Sequence, residues 1–211
     1  MFNDAFQLTQ AVLDGRKTQT RRIITCPIKF KGEWVAGFHV YRRHSDNAIL
    51  EYPCMYDADE RDFDGGYISP RYKVGEVVAV AQSYESLFHS KHSPDDFLLD
   101  HSNMNPKYCG AGFKNKMFVK SELMPNRIRI TDVRVERLND ISEDDCFKEG
   151  IYASNSHEIG YGIPWVYGFD KCKEVYFTPR EAYAALIDKI AGKGTFESNP
   201  YVFVYEFELV K

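Results

Sequence analysis

The run Gly15-Arg16-Lys17-Thr18-Gln19-Thr20-Arg21-Arg22 gathers four cations, two hydroxyls and an amide within eight residues. Guanidinium forks, a lysine point charge and hydroxyls are the groups that hold phosphate oxygens and base edges. Basic residues just past a helix C-terminus also offset the helix dipole, for a few tenths to about 1 kcal/mol, and need no ligand to do so. One or two charges suffice for that, and this loop carries four. The spacing therefore points to anion binding, with a solvated basic loop as the alternative. Across residues 15 to 32 there are six basic side chains (Arg16, Lys17, Arg21, Arg22, Lys29, Lys31) and no acid. That window is +6 in a chain of net charge −4, so the remainder is −10. Such segregation predicts a local positive patch on an acidic body, able to take a polyanion at one place.

Other chemistries are poorly supplied. His89 and His92 have HxxH spacing but lie in an irregular stretch with no third ligand. The acidic run DADERDFDGG puts Arg61 where a calcium loop needs an oxygen ligand, so it reads as a solvated turn. Neither a metal nor another cofactor is expected. Tyr84, Trp165 and Tyr167 can stack on a base, but aromatics are abundant in this chain and are first of all core material. The five cysteines (Cys26, Cys54, Cys109, Cys146, Cys172) are widely spaced with no CxxC pair, which predicts reduced, structural thiols. No apolar run approaches the roughly 20 residues that span a bilayer, and MFNDAFQLTQ has neither a basic nor an apolar signal region. A cytoplasmic protein with no membrane partner is expected; the sequence names no protein partner.

Several elements can position the basic run. Residues 4 to 14 read as a short amphipathic helix, with Ala5, Leu8, Ala11 and Val12 on one face, Asn3 or Asp4 as cap and Gly15 as stop. GEWVAGFHVY and AILEY read as two strands joined through Ser45, Asp46 and Asn47. VVAVA at Val77–Ala81 has the continuous apolar pattern of a strand buried on both faces. Between about 86 and 113 no period holds, which predicts an irregular insertion rather than a second domain. RIRITDVRVERL predicts a strand, or a bent pair around Asp132. A helix should start at Ser142, with Glu143, Asp144 and Asp145 in its first turn and Gly150 past its end. A second helix is punctuated by Thr178, Pro179 and Glu181, a capping box with proline at the first position, and is stopped by Gly192. Its stripe is Tyr183, Leu186, Ile187 and Ile190. The last strand, VFVYEFELV, puts Phe203, Tyr205, Phe207 and Leu209 on one face and Val202, Val204, Glu206 and Glu208 on the other. Many strands and few helices, with a C-terminal strand returning to the sheet, predict an α+β barrel in one domain over 1–211.

Four collinear segments carry a family resemblance: AVLDGRKTQTRR, KVGEVVAV, MPNRIRITDVRVERLNDISEDD with EGI, and NPYVFVYEF. Together they resemble the ASCH family of PUA-like small β-barrels, especially a phage and prophage branch. The resemblance implies a mixed, mostly antiparallel barrel with flanking short helices and a cleft lined by the basic loop. It also implies nucleic-acid or modified-nucleotide recognition, with RNA first, then DNA or a modified nucleoside, through Arg16, Thr18, Gln19, Arg21, Arg22 and Tyr84. Some small bacterial members are amidohydrolases that deacetylate acetylated cytidine with a Lys, a Thr and a Glu, which fall here on Lys17, Thr20 and Glu149. In that chemistry Lys17 deprotonates Thr20, Glu149 passes the proton to the leaving amine, and Arg22 holds substrate or oxyanion. Where that branch has an Arg-Glu-aromatic text, this chain has Ala81-Gln82-Ser83-Tyr84-Glu85. A structural phage protein without a nucleotide ligand is the remaining alternative.

Overall fold

The structure is a computed structural model that describes residues 2–46, 48–49, 52–88, 111–155, 165–169 and 174–210. Most of the expected insertion (89–110), with His89, His92 and Cys109, and also Cys172, lies outside the described residues.

A four-stranded antiparallel sheet organises the site. Its order is β1 (Gln19–Ile23), β11 (Tyr201–Val210), β8 (Arg127–Arg137) and β7 (Val77–Ala79). The sheet curls as a half-barrel, and every pairing between described strands is antiparallel. The last strand lies inside this sheet, between β1 and β8, and its alternation works as its sequence predicts. Val202 and Val204 enter one core cluster with Leu186, Ile187 and Phe169, whereas Phe203, Tyr205 and Phe207 enter another with Val12, Ile128 and Ile130. RIRITDVRVERL is one strand, not two. Its register with β11 skips Thr131, a bulge that bends the strand next to Asp132.

Short elements surround the sheet. A single 6-residue helix, α1 (Leu8–Leu13), follows turns rather than a full helix from residue 4; Asn3 caps those turns through Oδ1, 2.9 Å from the Ala5 amide. The next two strands, β2 (Lys29–Phe30) and β3 (Glu33–Trp34), turn back on each other about Lys31 and Gly32, both at positive φ (48° and 92°). Two successive positive-φ residues make the hairpin turn whose twist matches its strands. That early reversal divides GEWVAGFHVY, leaving β4 (Gly37–His39) to pair with β5 (Cys54–Tyr56), which pairs in turn with β6 (Asp62–Tyr67). Of AILEY, the described residues make only an isolated antiparallel bridge, Ile49 to Arg42, across the expected turn, and β4 takes β5 as its partner instead. VVAVA is also corrected: β7 pairs only with β8 among the described strands, and Val77 is 43% exposed, so it is an edge rather than a doubly buried strand.

After β7 comes α2 (Tyr84–Phe88), and after β8 comes α3 (Glu143–Lys148). Ser142 caps α3 by accepting the Asp145 N–H at 3.1 Å, and Gly150, at φ 105°, turns the chain out. The hairpin of β9 (Tyr152–Asn155) and β10 (Trp165–Gly168) leads to α4 (Pro179–Ala191), with the full Thr178/Glu181 capping box and Pro179 in its first turn. Tyr183, Leu186 and Ile187 of its stripe cover the Val202/Val204 face of the sheet, whereas Ile190, at the end of the helix, is exposed. A short α5 (Thr195–Ser198) precedes β11. No helix among the described residues is long and apolar enough to cross a membrane.

Candidate functional site

Lys17 lies between α1 and β1, after the left-handed Gly15, and its amide bonds back to the Ala11 carbonyl. The turn sends its side chain inward, where Nζ donates to Glu149 Oε2 at 2.5 Å and to the Glu149 carbonyl at 2.8 Å. Both residues are buried. Glu149 is the C-cap of α3, so the end of that helix brings both its carbonyl and its carboxylate to the lysine. Burial lowers the Lys17 pKa from its ordinary 10.5; the Glu149 carboxylate opposes the shift, and Arg22 and Arg21 add to it.

The period of β1 then divides the basic run. Gln19 and Arg21 point toward α3, and Thr20 and Arg22 pair across from Tyr205 and Phe203 on the other side. Arg21 has no exposed side-chain surface. It reaches Glu136 (3.1 Å), Asp145 (3.0 Å) and Glu149 (3.3 Å), and also donates to the Gln19 side-chain oxygen. Gln19 in turn donates to Glu206 (3.0 Å) and Asp145 (3.3 Å), and Arg134 ties Glu136, Asp132 and Glu206 into the same network. Burial works against the Arg21 charge, but Glu149 and the other carboxylates outweigh it and raise its pKa. Both terminal nitrogens are thus committed to protein groups, and no part of the side chain reaches the surface to meet a phosphate there.

Lys17, Thr20, Arg21, Arg22, Glu149 and Tyr183 all line one cavity of about 250 Å³. Two buried polar atoms of these lining residues have no hydrogen-bond partner among the described residues: Arg21 Nε and the Tyr183 hydroxyl. Burial raises the Tyr183 pKa well above 10.0, helped by Glu149, so the phenol remains a proton donor. Buried donors without acceptors are expensive. Both atoms are closed off even from the cavity, whose wall includes Lys17, Thr20, Arg22 and Glu149.

The remaining expected residues divide clearly. Arg16 lies exposed beside Asp14 (3.4 Å), and Thr18 uses its backbone to join Lys148 and Phe207; neither lines the cavity. Gln19 is internal and positions Arg21. Tyr84 packs with Leu87 and Met124, and its hydroxyl accepts the Lys120 N–H at 2.8 Å, away from the site. The six-charge surface patch does not form, because Lys17 and Arg21 face inward. Reading Tyr183 only as part of an apolar stripe missed its role; a phenol among Leu and Ile brings a hydroxyl that must be satisfied. Asp145 was legible as a dipole partner of its helix but not as the partner of Arg21.

A wider groove of about 780 Å³ lies elsewhere, lined by Tyr52, Tyr67, Arg42, Arg134, Glu136 and Asp140 among others. Its arginines are matched by acids and it contains none of Lys17, Thr20 and Glu149, so size does not make it the better candidate. No group of His, Cys, Asp and Glu among the described residues is arranged to hold a metal ion. Compared with family models, curated proteins and solved structures, the chain shows no match.

Proposed function

We propose that this chain is an ASCH-type protein with a PUA-like barrel, and that it recognises a modified nucleoside or nucleotide in the Lys17–Glu149 cavity. The observation that carries the reading is a cavity whose wall holds the buried Lys17–Glu149 pair together with Thr20 and Arg22. A volume of about 250 Å³ lies just under the roughly 300–1,000 Å³ usual for small-ligand sites, and suits a base better than a polymer. The family resemblance supplies the nucleoside class, with an acylated cytidine as the first ligand to try.

Titration calorimetry with acetylated cytidine, cytidine, and short RNA and DNA tests the reading. Binding of the nucleoside, weakened roughly tenfold or more by Thr20→Val or Glu149→Gln, is expected, since a hydrogen bond to a charged group is worth about 1.5–3 kcal/mol. Binding of RNA or DNA without any nucleoside binding would replace this reading with a polymer one. Its signature would be a log–log salt slope that is shallower by about 0.7–0.9 in Arg22→Ala, the share of a single phosphate. No nucleotide ligand at all would leave the structural-protein reading.

A second reading, amide hydrolysis, is favoured by the lowered Lys17 pKa beside Thr20. The neutral Lys17 amine takes the Thr20 hydroxyl proton as Oγ adds to the acyl carbonyl. That proton passes by way of Glu149 to the exocyclic nitrogen, which leaves as the free amine. Water then cleaves the threonyl ester, releasing the acid and restoring the hydroxyl. No hydrogen bond joins Lys17 to Thr20 here, because the ammonium is held by Glu149, so the ligand would have to draw them together. Acetate release from acetylated cytidine should rise with pH through a limb below 10.5, because only the neutral amine can accept the proton. Binding without acetate release would remove hydrolysis and keep recognition.

A further inference from the structure

A second chamber of about 220 Å³ abuts the first and shares Phe2, Thr20 and Arg22 with it. Its charge is different. Arg22 and Arg71 line it with no carboxylate among the described lining residues, whereas the first cavity has Glu149 in its wall. Its other walls are largely aromatic and aliphatic, including Tyr72, Tyr205 and Phe207. Arg22 reaches this chamber because it is one residue out of phase with Arg21 on β1, opposite Phe203 rather than Val204. Arg71 comes from the segment between β6 and β7, with its guanidinium 5.5 Å from the Tyr72 ring centre.

Tyr205 adds a donor. Its hydroxyl accepts the Arg71 N–H at 2.9 Å and is also approached by the Tyr72 backbone N–H, so its acceptor side is engaged and its own proton is left to give. Two guanidinium groups, a phenol proton and a hydroxyl (Thr20), with no anion among the described lining residues, make a cationic, donor-rich wall. Such a wall is complementary to a phosphate or another compact anion. The partition between the chambers is itself held in place. Lys116 Nζ donates to the Phe2 carbonyl at 2.8 Å, and the Phe2 ring lies 5.6 Å from that of Phe207.

We propose that this chamber is the phosphate subsite of the same ligand, so that the natural ligand is a nucleoside monophosphate rather than a free nucleoside. The proposal rests on the recognition reading above for its base half and on Arg22 and Arg71 for its anionic half. The base then lies against Lys17 and Glu149, the sugar passes Thr20 and Phe2, and the phosphate meets the arginines. A terminal monophosphate offers more charge and more acceptor oxygens than the diester of an internal nucleotide, which favours the mononucleotide over a chain.

Calorimetry at fixed ionic strength with acetylated cytidine, its 5′-monophosphate, a dinucleotide that presents only a diester, and inorganic phosphate tests it. The monophosphate is expected to bind at least about tenfold more tightly than the nucleoside, with the dinucleotide between them. Arg71→Gln should collapse the monophosphate-to-nucleoside ratio to below about threefold, and Arg71→Lys should retain part of it. Equal affinity of nucleoside and monophosphate in the wild-type chain would overturn the subsite while leaving base recognition standing. If neither nucleoside nor nucleotide binds, base recognition fails, and inorganic phosphate decides the subsite alone. Thermal stabilisation by phosphate that disappears in Arg71→Gln would keep it, and no stabilisation would end it. Arg71 is exposed, so its substitution is not expected to unfold the chain.

Discussion

Arg21 and Arg22 are neighbours on β1, yet Arg21 is wholly buried among Glu136, Asp145 and Glu149, while Arg22 is exposed on the wall of a chamber with no carboxylate among its described residues. The difference comes from the strand's period alone. Identical side chains one residue apart are sent to opposite sides of a sheet, one toward α3 and one toward the Tyr205 side. A cluster of basic residues is therefore not one electrostatic object: Lys17 and Arg21 are paired inside the protein, and of the two outer arginines only Arg22 lines a space that a ligand can fill.

The comparison breaks most visibly under one pair of substitutions. Arg21→Met removes a buried cation shared by three carboxylates and should cost about 3 kcal/mol in urea unfolding, because Glu136, Asp145 and Glu149 each keep only their other partners, Arg134, Lys148 or Lys17. Arg22→Met should stay within about 0.5 kcal/mol. Equal costs would mean that the two faces are not electrostatically distinct. The same network sets the acid limb. Burial raises the Asp145 and Glu206 pKa values, but Lys148 and Arg21 for the first, and Arg134 and Gln19 for the second, outweigh it and hold them below their ordinary 3.8 and 4.5. Their stabilisation is present above those ordinary values and is lost as pH falls through the lowered folded ones. Lys17 acts in the same sense in an alkaline window: its lowered pKa makes stability rise as pH climbs toward 10.5, because the unfolded chain keeps that proton longer. Stability measured against pH should fall steeply below about pH 4 in the wild-type chain and less steeply in Arg21→Met.

Next in size is Tyr183→Phe. The hydroxyl it removes has no partner among the described residues, so the ligand-free chain should gain roughly 1 kcal/mol in urea unfolding, against the usual expectation for a core change. Ligand affinity should change little in the same variant, because the hydroxyl is closed off from the cavity. A loss of stability would show that the hydroxyl already has a partner.

How much of this was legible in the sequence follows the same division. The last strand's two faces, the capping box at Thr178 and the cap at Ser142 were readable, because local periodicity and hydrogen bonding decide them. The resemblance brought Lys17 and Glu149 together, 132 positions apart, and the structure has them hydrogen-bonded. What sequence missed depends on long-range neighbours. The edge position of Val77 reflects which strand is absent beside it among the described ones, and the burial of Arg21 reflects carboxylates from β8 and α3. The early turn at Lys31-Gly32 divided an apolar run that looked continuous. None of these leaves a mark in local pattern, so composition put six charges on one surface where four remain outside.

The smallest effect belongs to Arg16, which shares the basic run but lines neither chamber. It precedes the inward turn at Lys17, and its ion pair with Asp14, at 3.4 Å, has both side chains about 40% exposed (40% and 42%). Water screens such a pair and its side-chain entropy cost offsets much of the attraction, so Arg16→Gln should change stability by less than about 0.5 kcal/mol. Nucleotide affinity should change less than about twofold at physiological salt, because an exposed charge outside the chambers acts on the ligand only through solvent that screens it within about 8 Å. If Arg16→Gln weakens binding as much as Arg71→Gln does, the ligand extends over the outer loop, and the division of the run into an inner and an outer face would no longer describe how it binds.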